Sequence, residues 1–113
     1  MFEKEHHDES KELRQSVVDI LRQKGIDDKE ARDRLLEWIK REEEKIPDNE
    51  EGQIQFIIEQ AEVYKEAGLI PEAVEEFYEA LEFANQARKK ELYKKIILKL
   101  EELGEKTIDI YNK

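Results

Sequence analysis

The residues that could do chemistry are few, and their spacing suits none of the common reactions. The chain has no cysteine, which removes thiolate catalysis, thiolate zinc sites and disulfides. Its histidines, His6 and His7, are adjacent. Consecutive residues point to different sides of a helix, whereas a metal wants offsets such as i and i+4 on one face. With Glu3 and Asp8 nearby they make a weak site at most. The expectation is a solvated tail, with no metal and no cofactor. The serines, Ser10 and Ser16, sit on or beside one helix, and no base is spaced to activate either. Carboxylates are abundant, but Glu75 and Glu76, or Glu101 and Glu102, are neighbours on a helix. They do not face each other across a cleft, as acid–base work requires. No glycine-rich phosphate loop is present. The chain reads as a protein that is not an enzyme.

Composition narrows the class further. At 113 residues the chain is one small domain, long enough to bury about 65% of its unfolded surface. Charged residues make up 44%, and the net charge is −10. That balance argues against nucleic acid, whose binding rests on neutralising phosphates. No apolar run approaches the roughly 18 residues of a membrane span. No secretory pattern follows Met1. A cytoplasmic location is the expectation. Residues 1–9 read as a flexible tail, and residues 10–113 as a single all-helical domain.

The elements follow from spacing. Leu13, Val17, Ile20 and Leu21 form a helical stripe over residues 10–24, closed by Gly25. Asp27 is placed to cap a second helix, with Glu30 three residues on. Ala31, Leu35, Trp38, Ile39 and Ile46 face inward on it. Trp38 reads as a core anchor and not as a ligand-stacking residue. Pro47 ends this helix, and Asp48 is placed to cap the next. The third helix carries two stripes: Ile54, Ile57, Ile58, Ala61 and Tyr64 on one side, and Phe56, Val63 and Ala67 on another. A helix with two stripes packs against two neighbours. Gly68 ends it and Pro71 opens the fourth helix, whose packed face is Ala73, Phe77, Ala80, Leu81 and Ala84. A fifth helix over 88–104 presents Leu92, Ile96, Leu100 and Leu103, widened by Tyr93 and Ile97. The fold class is all-α, with about five helices in antiparallel hairpins and a C-terminal capping helix.

Residues 54–87 resemble the tetratricopeptide repeat, a helix-turn-helix unit of about 34 residues. Ala61, Tyr64, Gly68, Ala73, Phe77 and Ala80 fill its pattern in register. Ile57 stands where the family often has Trp, and Asn85 where it often has Pro. The first two helices look like a decayed hairpin of the same kind, with Trp38 at the place of Ala80. A residue of that size should push those helices apart. The turn glycines Gly25 and Gly68 are 43 residues apart, too far for a regular array.

The resemblance implies a non-catalytic scaffold for protein binding on a groove lined by the first helices of each hairpin. Gln55, Ile58, Glu62 and Lys65 occupy the groove positions. Ile58 and Glu62 do not fit the carboxylate clamp of chaperone-tail binders, and they suit an apolar or basic partner better. Residues 54–104 also resemble the microtubule-interacting and trafficking domain, a three-helix module that binds helical tails. A self-associating structural subunit, a homodimer, is a further reading. About two and a half hairpins are few for an array, and a dimer would bury the leftover apolar faces. Charge is uneven as well: residues 59–82 carry a net of −7, and residues 88–99 a net of +5. Lys90, Lys94 and Lys95 mark the basic face.

Overall fold

The computed structural model describes residues 9–107, with side chains from residue 11. His6, His7, Ile108, Ile110 and Tyr111 lie outside the described residues. The chain is all-helical: α1 (Glu9–Lys24), α2 (Lys29–Glu43), α3 (Glu50–Glu66), α4 (Ile70–Gln86) and α5 (Lys90–Glu102), with no strand among the described residues.

Two hydrophobic clusters share α3. Ile54, Ile58 and Ala61 join Ala73, Phe77, Ala80 and Ala84 of α4, and Leu92, Tyr93, Ile96, Ile97 and Leu100 of α5. Val63 and Ala67, on another side of α3, join Val17, Val18, Ile20 and Leu21 of α1, and Ala31, Leu35 and Trp38 of α2. Phe56 extends that second stripe. Its ring centroid lies 6.2 Å from that of Trp38. Thus the two stripes of α3 do meet two neighbours, and Trp38 is a core residue, only 1% exposed. Tyr64 packs on both clusters.

Side-chain size sets how closely the pairs pack. Ala61, Ala73 and Ala80 are fully buried where α3 meets α4, and that pair makes the most extensive contact in the molecule. The contact between α1 and α2 is smaller. Trp38 stands there in place of a small residue.

The caps differ from the sequence reading by one residue each. Asp28, not Asp27, caps α2: its Oδ2 accepts from the Ala31 backbone N–H at 2.9 Å. Glu30 therefore makes no capping box. It pairs instead with Lys24 and Arg34. Asn49, not Asp48, caps α3, with Oδ1 accepting from the Gly52 N–H at 2.7 Å. In both cases two short polar residues precede the helix, and either could cap. The choice falls to the one whose backbone is extended at the junction.

The C-terminal ends of α3, α4 and α5 repeat one motif. The second residue past each cap donates its N–H back to the carbonyl five residues earlier: Leu69 to Tyr64, Lys89 to Ala84 and Glu105 to Leu100. The motif needs a left-handed residue at its centre. Gly68 and Gly104 supply it, but after α4 the position falls to Arg88, at φ 55°. The fifth helix accordingly starts at Lys90, two residues later than its charge pattern suggests.

Candidate functional site

The predicted groove does not form as a free surface. Ile58 is buried in the α3–α4–α5 cluster and faces no groove. Glu62 and Lys65 lie beneath the edge of α5. Lys99 Nζ donates to Glu62 Oε2 at 2.5 Å, and Lys65 lies 3.8 Å from Glu62 and 3.7 Å from Glu102. The reason is the capping helix itself. Leu92, Ile96 and Leu100 need cover, and burying them against Ile54 and Ile58 brings Lys99 over Glu62. Of the four groove positions, Gln55 alone is exposed.

The same face of α3 is tied to α1 on its other flank. Arg14 reaches Glu59 Oε2 through Nε at 2.5 Å and holds both oxygens of Glu66 at 2.8 Å. Arg22 donates to the Glu66 backbone carbonyl. The carboxylates Glu59, Glu62 and Glu66 thus form a row whose counter-charges come from α1 and α5. The sequence reading missed this row. Glu59 and Glu66 recur with Gln55 at helical spacing, but Arg14 lies 45 and 52 residues away in the chain.

The hydrogen bond from Arg14 holds the Glu66 carboxyl below its usual range, with the guanidinium charge acting in the same sense. A depressed carboxyl stabilises the fold above the ordinary carboxylate range. That contribution is lost as pH falls through the lowered value. Both groups keep contact with solvent, so the amount is about 1 kcal/mol or less. Arg14→Met is expected to remove it. Urea melts of variant and parent should differ at pH 7 and converge toward pH 3. An equal offset at every pH would place the effect of Arg14 in packing alone.

Where α2 bends into α3 there is an open cleft of about 400 Å³. Ile46, Pro47 and Phe56 supply its apolar surface, and Glu42, Glu51, Gln55 and Glu59 its rim, with Lys45 also on the lining. Its shape depends on Gly52. A Cβ there would lie 2.7 Å from the Pro47 carbonyl oxygen and 3.1 Å from Ile46 Cγ2, so the loop sits this close to α3 only over a glycine. The signal for this cleft was the bend at residues 46–52. What it lacked was the path of the loop across Phe56.

Lys90 and Lys95 are exposed and Lys94 half-buried, all on the side of α5 turned away from its core. None of the three forms an ion pair among the described residues. Ser16 accepts from Arg34 Nη1 at 2.6 Å. Among the described residues no group of three His, Asp or Glu is placed to hold a metal ion. No described helix is long and apolar enough to cross a membrane. Compared with family models, with curated proteins and with solved structures, the chain matches none.

Proposed function

We propose that the chain is a non-catalytic protein-interaction module of tetratricopeptide-like design, and that its partner is a peptide or protein segment held in the cleft at the α2–α3 bend. The observation that carries this reading is the cleft itself. It joins an apolar floor to a rim holding three carboxylates beside Gln55. Its volume falls at the lower end of the range of ligand clefts, about 300–1,000 Å³. A segment with one apolar anchor flanked by Lys or Arg would bury the anchor on Phe56 and meet Glu51, the rim carboxylate that makes no ion pair among the described residues. Charge on the rim would set orientation and association rate more than affinity. The same carboxylates repel phosphate, which disfavours nucleic acid.

The three-helix trafficking reading fits less well. It takes α3, α4 and α5 as the whole module, yet α1 and α2 cover a complete second stripe of α3, including Val63 and Ala67.

The test is selection from a displayed peptide library, followed by NMR mapping on the folded chain. Enriched peptides should carry an apolar residue beside Lys or Arg, and should shift Gln55 and Phe56. Glu51→Lys with Gln55→Lys, both at exposed positions, should weaken binding at least about tenfold, the scale of losing close charge pairs at an interface. No enrichment, or binding indifferent to this pair of substitutions, would sink the reading.

A further inference from the structure

The outer faces of α4 and α5 carry opposite charges that nothing among the described residues neutralises. On α4, Glu75, Glu79 and Glu82 are exposed, with Glu72 and Glu76 beside them. None of the five has a cationic partner among the described residues. The crowding is felt at Glu76, where burial and then the like charges of Glu79 and Glu75 push the carboxyl above its usual range. On α5, Lys90, Lys94 and Lys95 form no ion pair among the described residues. This contrasts with the opposite flank of α5, where Lys99 and Glu102 pair with α3.

Each face also carries an apolar residue that a lone molecule leaves in water. Leu98 follows Lys94 by one turn and is 61% exposed, and Phe83 follows Glu79 by one turn and is 44% exposed. Both rows therefore read charge, charge, apolar at intervals of four: Glu75, Glu79 and Phe83 on one helix, and Lys90, Lys94 and Leu98 on the other. Laid antiparallel, they bring Glu75 to Lys94 and Glu79 to Lys90, carboxylate to ammonium at two turns.

We propose that a second copy of this chain docks on these faces, the acidic row of each α4 against the basic row of the other copy's α5. Within one chain α4 and α5 run antiparallel, joined by a three-residue turn. A two-fold axis along the helices sets each α4 antiparallel to the partner's α5, so the same contact forms twice and the assembly closes as a dimer. The proposal stands apart from the cleft at the α2–α3 bend, which this contact leaves open.

The experiment is light scattering after size exclusion, with sedimentation, on the full chain from low to high salt. The expected result is a reversible dimer whose dissociation constant rises about tenfold or more as salt screens the exposed pairs. Two charge reversals follow. Lys90→Glu, Lys94→Glu and Lys95→Glu together give a chain acidic on both faces. Glu75→Lys, Glu79→Lys and Glu82→Lys together give one basic on both. Each alone should be monomeric and helical by circular dichroism. Mixed, they should recover a dimer, because every face again meets its opposite. A parent that stays monomeric at all concentrations overturns the proposal. So does a dimer indifferent to either reversal, or a mixture that stays monomeric.

Discussion

Trp38→Ala is expected to cost about 3–5 kcal/mol, the range found when a large aromatic is truncated in a core. Trp38 is among the largest fully buried side chains. It joins Leu35 and Ala31 of its own helix to Val17, Val18 and Leu21 of α1, and its ring meets Phe56 of α3. Truncation leaves a void among buried neighbours, so the lost transfer energy is joined by a cavity term. A domain of this size has about 5–15 kcal/mol in all, and the variant should sit near the edge of folding at 37 °C. Urea unfolding followed by circular dichroism is the measurement. Trp38→Phe, which keeps most of the volume, should lose far less. A loss below about 1 kcal/mol for the alanine variant would be the value of a surface aromatic, and would contradict the packing described here. The cleft would change as well. Phe56 leans on Trp38, so truncating the indole loosens the cleft's apolar floor.

The second large effect runs the other way in volume. Ala80→Leu should destabilise by about 1–3 kcal/mol through overpacking. Ala80 is fully buried between α3 and α4, close to Ala61, Ala73 and Phe77. Alanine and leucine have nearly equal helix propensity, so the substitution changes packing and little else. Ala73→Leu should act alike. Leu36→Ala is the control, because its side chain is 59% exposed and its loss should stay within about 0.5 kcal/mol. Thermal melts unchanged by both leucine substitutions would mean that the two backbones do not approach closely.

The parts of this fold that could be read in the sequence share a property. Each was written in residues close together in the chain. The stripes of α3 repeat every three or four residues, Pro71 sits in a first turn, and Gly68 sits just past a last turn. These signals fixed the helices and their pairing. The errors arose where the answer depended on a distant element. Ile58 and Lys65 lie at groove positions by spacing, and spacing cannot say that α5 folds across them. Arg14 bridges to Glu59 and Glu66 over a separation that no periodicity records. The start of α5 was misjudged because Arg88 holds a backbone conformation that arginine rarely advertises. The cleft was half visible. Pro47 and the polar residues after it mark a bend, but the pocket exists only because Gly52 lets the loop lie against the helix.

The sharing of α3 bears on how the molecule comes apart. Neither cluster is complete without that helix, and Tyr64 belongs to both. Melting α1 and α2 would strip Val63 and Ala67, and melting α4 and α5 would strip Ile54, Ile58 and Ala61. Either partial opening thus leaves α3 with an uncovered apolar side and half its support. Two small cores joined by such an element are expected to unfold as one cooperative unit, with coincident transitions by Trp38 fluorescence and by circular dichroism. The amides of α3 are then expected to exchange only at the rate of global unfolding.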